Sequence, residues 1–140
     1  MISKMNQRSI LIIEEDRGIQ EVAKFCLEMD GHWQVDVANC GAEGFLKAKT
    51  IAPDVILLDS VALDREKVEI LERLQSDRAT QNIPIILFTT KLLDLRRLKC
   101  QNSSSIGTID KPFDPLTLSK NIVEILQTRD RSIAKVASFC

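Results

Sequence analysis

The chain has 140 residues, of which 44% are hydrophobic, and 19 Lys and Arg oppose 20 Asp and Glu for a net charge of −1. That length can bury a core in one domain, and the near-neutral balance supplies no basic face for nucleic acid. No apolar run reaches the length of a membrane span and Met1–Arg8 is polar, unlike a secretory signal, so a cytoplasmic protein without nucleic-acid or membrane partners is expected.

Ser9-Ile10-Leu11-Ile12-Ile13 is a continuous apolar run, the pattern of a strand buried on both faces, and it ends in Glu14-Glu15-Asp16. From Asp16, a plausible N-cap, Ile19, Val22, Ala23, Cys26 and Met29 recur at helical spacing until Gly31. Trp33, Val35 and Val37 alternate with Gln34 and Asp36 as on a half-buried edge strand. Gly41 opens a short helix through Lys49, with Phe45, Leu46 and Ala48 as inward candidates, and Pro53 stops it.

Pro53-Asp54-Val55-Ile56-Leu57-Leu58-Asp59 is the second run of buried-strand type. A loop over Ser60–Leu63 leads to a helix capped by Asp64, which packs Val68, Leu71 and Leu74 with Ile70 alongside. After polar Asp77–Asn82, Ile83-Pro84-Ile85-Ile86-Leu87-Phe88 forms a strand ending in Thr89-Thr90. Leu92, Leu95 and Leu98 give a further helix, broken by Asn102-Ser103-Ser104-Ser105. Ile106–Ile109 is a weak last strand before Asp110-Lys111-Pro112-Phe113. The final helix starts near Asp114 with Leu118, Ile122, Ile125 and Leu126 inward.

Strands and helices alternate five times, which predicts a doubly wound α/β fold with a parallel sheet and right-handed crossovers. All strand carboxyl ends then share one edge, where Glu14, Glu15, Asp59, Thr89, Thr90 and Lys111 collect. Carboxylates gathered at a sheet edge repel one another unless a cation intervenes, and oxygen ligands favour Mg²⁺. A lysine and a hydroxyl at the same edge suit a phosphoryl group, and Asp59 could act as a nucleophile forming an acyl phosphate. The plainer alternative is a salt bridge between Lys111 and the acids, with Asp59 ending its strand.

The order and spacing of these segments, from Ser9 to about Gln127, resemble the receiver domain of two-component response regulators. The resemblance rests on the acids after Ile10–Ile13, on Pro53–Asp59, on Ile83–Thr89 and on Lys111-Pro112-Phe113. It implies a flavodoxin-like (βα)₅ fold with strand order 2-1-3-4-5, an order for which a receiver is itself a standard example. It also implies phosphorylation of Asp59, Mg²⁺ held by Glu14, Glu15, Asp59 and the backbone carbonyl of Val61, and phosphoryl contacts from Thr89 and Lys111. The Lys111-Pro112 bond would be cis. The implied partners are a histidine kinase or phosphotransfer protein and a downstream protein; the domain is not an enzyme in its own right beyond promoting its own phosphorylation and dephosphorylation.

The sequence departs from the family pattern at several positions. The acid pair is Glu-Glu rather than Asp-Asp or Glu-Asp, which lengthens Glu15 by one C–C bond, about 1.5 Å. Thr108 stands where many receivers have Tyr or Phe, Thr90 where Ala or Gly is usual, and the loop after Asp59 lacks Pro and Gly. These changes give the alternative reading, a pseudo-receiver interaction module with little or no phosphotransfer. A haloacid-dehalogenase-type phosphatase would need Asp-x-Asp after the first strand, which is absent. The expected organisation is a stand-alone receiver over 1–128 without an output domain, followed by a tail or helix extension over 129–140. In that tail Ile133, Val136, Ala137 and Cys140 share a stripe able to pack on the domain or on a second copy as a weak homodimer. The scattered Cys26, Cys40, Cys100 and Cys140 fit reduced thiols better than zinc ligands or disulfides. His32, alone in a turn, is assigned no role.

Overall fold

Ile10 to Ile13 and Val55 to Leu58 are buried because their strands lie inside a sheet covered on both faces. The computed structural model describes residues 7–59, 65–89, 105–110 and 114–139, with backbone alone at 65–67, 89, 105–106, 110 and 129–139. The strands are β1 (Arg8–Ile13), β2 (Trp33–Ala38), β3 (Val55–Asp59), β4 (Ile85–Thr89) and β5 (Ser105–Asp110). The described helices are α1 (Arg17–Met29), α2 (Gly41–Ile51), α3 (Arg65–Ser76) and α4 (Leu118–Phe139). All strand pairs are parallel, in the order β2-β1-β3-β4-β5. This is the doubly wound sheet expected from the sequence. The helix expected over Leu92–Leu98 lies outside the described residues.

Alternation along each strand sends side chains to two separate cores. Leu11, Ile13, Ile56, Leu58, Ile85 and Leu87 meet Phe45, Ala48, Ile70, Leu71 and Leu74 of α2 and α3. Ile10, Ile12, Val55, Leu57, Ile86 and Phe88 meet Ala23, Leu27, Leu118, Ile122 and Leu126 of α1 and α4. Helix α2 sits so close to the sheet that a Cβ on Gly44 would overlap the Ile13 side chain, and one on Gly41 that of Ile70.

Two helix faces differ from the sequence expectation. In α1 the buried residues are Gln20, Ala23 and Leu27, while Val22, Phe25 and Met29 are 45%, 63% and 72% exposed. The helix carries two apolar stripes, and the one containing a glutamine faces the sheet. In α2, Leu46 is exposed, and Gly44 takes the place beside Phe45 and Ala48 because only a residue without a side chain fits against Ile13.

The caps follow the sequence more closely. Asp16 is the N-cap of α1, its Oδ1 accepting from the Ile19 N–H at 3.1 Å. Gly31 has φ 74°, which a side chain would strain. Trp33 donates its indole N–H to Ser119 Oγ at 2.9 Å, and Ser119 donates to Asp30 Oδ2 at 2.6 Å, joining α1, β2 and α4. On the outer side of β2, the Lys47 ammonium donates to the Val37 carbonyl.

Candidate functional site: an acidic pocket at the switch point

The sheet order reverses direction between β1 and β3, so the residues leaving those two strands open a crevice at their carboxyl ends. Ile13 pairs with Leu58, so Glu14 and Asp59 follow on neighbouring strands. Asp59 pairs with Phe88, and Thr89 follows on β4. The register thus delivers Glu14, Asp59 and the backbone of Thr89 to adjacent positions, strands being about 4.8 Å apart.

A small cavity of about 20 Å³ lies there, lined by Ile13, Glu14, Glu15, Cys40, Gly41, Leu58, Asp59 and Ile70. Two of its three carboxylates are buried, Glu14 at 2% exposure and Asp59 at 7%, whereas Glu15 is exposed. Glu14 is held at both ends. Its N–H donates to the Ala38 carbonyl at 3.1 Å, and its Oε2 accepts from the Glu15 N–H at 3.0 Å. Its own carbonyl accepts from the side-chain amide of Gln20.

The structure therefore brings together Glu14, Glu15 and Asp59, as expected. Thr89 is placed by its backbone at the end of β4. Val61, Thr90, Lys111 and the Lys111-Pro112 bond lie outside the described residues. Thr108 is half-buried on β5, and His32 is exposed. Sequence reasoning missed Gln20, Asn39 and Cys40. The signal for Gln20 was its place three residues before Ala23 and seven before Leu27, on one helical face.

Among the described residues, no three His, Cys, Asp or Glu side chains form a ready-made metal cage. Mg²⁺ does not require one, since it retains waters and takes one or two carboxylates with phosphate oxygens. A buried oxygen donor on β3 and an acid pair after β1, opening on one cavity, are a donor set of that kind.

A doubly wound parallel sheet with carboxylates gathered at its switch point defines the class, a flavodoxin-like α/β domain with an acidic crevice at the carboxyl ends of its strands. The description of the response regulator receiver domain matches residues 10–123, and the chain belongs to that family. It is 30% identical over 122 residues to the hybrid signal transduction histidine kinase D of Dictyostelium discoideum, covering 86% of this chain and 8% of that protein. It is 30% identical over 118 residues to the probable transcriptional regulator ycf29 of Porphyra purpurea, covering 82% of this chain and 56% of that protein. The chain thus spans about half or less of the length of these curated relatives. Among solved structures, a CheY-like response regulator receiver domain protein from Methanospirillum hungatei JF-1 superposes with a TM-score of 0.74 at 26% identity, over 90% of this chain and 98% of that one. Aspartate phosphorylation and Mg²⁺ binding are typical of this family, whose members signal between histidine kinases and downstream effectors. Among the described residues, no helix is long and apolar enough to cross a membrane.

Proposed function

We propose that this chain accepts a phosphoryl group on Asp59 from a histidine kinase or phosphotransfer protein and passes the signal on through protein contacts. The observation that carries this reading is the position of Asp59, the last residue of a fully buried strand, in the wall of the cavity that Glu14 and Glu15 also line. A carboxylate held there is shielded from bulk water yet opens on one side. In the transfer, a carboxylate oxygen of Asp59 forms the new O–P bond as the N–P bond of a phosphohistidine breaks, and the imidazole leaves with the electron pair.

Glu15 and Glu14, with Asp59 and the Val61 carbonyl, would hold Mg²⁺; when bound, the ion offsets charge on the transferring oxygens. Glu14 is the stationary member of the pair because both its backbone and its carboxylate are engaged. Glu15, exposed at the cavity rim, is free to meet the ion directly or through water. Thr89 and Lys111 would contact the phosphoryl oxygens.

The test is incubation with acetyl phosphate and Mg²⁺ followed by intact-mass measurement. The expected result is a gain of one phosphoryl group, lost in Asp59→Asn and in EDTA. Label that persists in Asp59→Asn overturns the assignment to Asp59, and an unmodified wild type overturns the reading and favours a pseudo-receiver.

A further inference from the structure

Glutamine is an unfavourable residue on the sheet-facing side of an amphipathic helix, because its amide must find partners when water is excluded. Gln20 is 8% exposed and shares its face of α1 with Ala23 and Leu27. Its side-chain nitrogen has two hydrogens and two acceptors: the carbonyl of Glu14 and Oδ1 of Asn39, at 2.9 Å. Those acceptors sit on different loops, one after β1 and one after β2, at the sheet edge that carries the acidic cavity.

We propose that Gln20 is a positioning residue that fixes the orientation of the Glu14–Glu15 acid pair. This inference rests on the reading of that pair as the cation-binding acids. The Glu14 carbonyl and the Glu15 N–H belong to one peptide plane. Gln20 binds the carbonyl end of that plane, and the Glu14 carboxylate binds the N–H end at 3.0 Å. With the Glu14 N–H also bonded to the Ala38 carbonyl, the backbone on both sides of Glu14 is set. The directions in which the two carboxylates leave the turn are then set with it.

The second arm anchors the clamp. Asn39 donates its backbone N–H to Glu43 Oε2 at 3.3 Å, and Glu43 pairs with Lys47 at 3.0 Å. Gln20 therefore refers the acid pair to α2, which packs on β1 through the Gly44–Ile13 contact. Without the amide, the carbonyl end of the peptide plane loses this donor, and the plane is held less firmly in the orientation that aims the carboxylates at the cavity.

Gln20→Met is the informative variant, since it keeps length and helix propensity while removing both donors. Two measurements apply: amide hydrogen exchange of Glu15 in metal-free protein, and a Mg²⁺ titration followed by the amide shifts of Glu14, Glu15 and Asp59. Gln20→Met is expected to speed Glu15 exchange and to weaken Mg²⁺ binding by about tenfold, the usual loss when a group that orients a ligand is removed. Gln20→Lys, which can still donate to the Glu14 carbonyl, is expected to restore slow Glu15 exchange. It also carries the test should Gln20→Met not fold, and fast exchange in Gln20→Lys would then overturn the proposal. Unchanged exchange and unchanged Mg²⁺ affinity in Gln20→Met overturn it as well. A wild type that shows no Mg²⁺-dependent shift refutes the cation reading instead, while Glu15 exchange still decides the role of Gln20.

Discussion

The carboxylate of Glu14 turns back on its own chain and accepts a hydrogen bond from the N–H of Glu15 at 3.0 Å. Adjacent acids of the same type are thereby made unequal. Glu14 is buried with its carboxylate engaged, whereas Glu15 gives only its backbone N–H to that bond and keeps its carboxylate exposed.

The inequality should appear in stability. Glu14→Ala removes a buried acceptor from the Glu15 N–H and is expected to cost about 1–3 kcal/mol. Glu15→Ala, at an exposed site, should stay within about 0.5 kcal/mol of the wild type. Urea unfolding of both variants checks this; equal losses would mean that the Glu14 bond contributes nothing. Glu15→Asp addresses the cation instead. Shortening the side chain by about 1.5 Å restores the length usual in receivers, and Mg²⁺ titration should show tighter binding than in the wild type.

Helix α2 supplies a second prediction. Ala is a better helix former than Gly by about 1 kcal/mol, yet Gly44→Ala should destabilise the protein by about 1–3 kcal/mol through overpacking. The new methyl group would meet the Ile13 side chain. Combining Gly44→Ala with Ile13→Val should recover part of the loss. A double-mutant cycle by thermal denaturation reads the coupling, and strict additivity would rule out the contact as the cause.

The Glu43 carboxyl is held below the ordinary carboxylate range, chiefly by the hydrogen bond from Lys47 and next by the backbone N–H of Asn39. A depressed folded value means that the contribution is present above the unfolded value and is lost as pH falls through the folded one. Lys47→Met should therefore raise the Glu43 titration midpoint toward that of an isolated glutamate, as followed by side-chain carbonyl NMR. The part of the stability difference between wild type and Lys47→Met that comes from Glu43 should be full above the ordinary glutamate range and vanish as pH falls through the folded value.

Trp33 is the only tryptophan, which makes its environment easy to follow. Ser119→Ala deprives the buried indole N–H of its acceptor, an expected loss of about 1–3 kcal/mol. Asp30→Ala leaves the indole bond in place and removes only the outer link, at 2.6 Å, so its cost should be smaller. Fluorescence-detected unfolding orders the two, and a larger loss for Asp30→Ala would contradict the arrangement.

The strands were legible because burial on both faces leaves uninterrupted apolar runs, as at Ile10–Ile13 and Val55–Leu58, and each run ends where a carboxylate begins. That Glu14, Glu15 and Asp59 would meet was legible for the same reason, since parallel strands bring all such endings to one edge. The sheet-facing side of α1 was legible only in part: Ala23 is buried and Ile19 packs on the core as expected, whereas Gln20 was missed. Val22 and Met29 are more hydrophobic than Gln20, so periodicity placed them on the buried face in its stead. Gln20 is tolerated on that face because its amide meets two acceptors, the Glu14 carbonyl and Asn39 Oδ1, whose proximity exists only after β1 and β2 have paired. Leu46 was misjudged in the same manner, because the Gly44–Ile13 approach is a property of two elements and not of either one.

The bond from Lys47 to the Val37 carbonyl has a consequence for association between chains. The Ala38 carbonyl points inward, accepting from Glu14, so the preceding carbonyl of β2 points outward along the rim of the sheet. A foreign strand laid against that rim would have to evict an ammonium group from the acceptor it needs and then bury the displaced charge. Self-templated growth through β2 is thereby discouraged, and Lys47→Met would leave that rim open to fibril-like stacking.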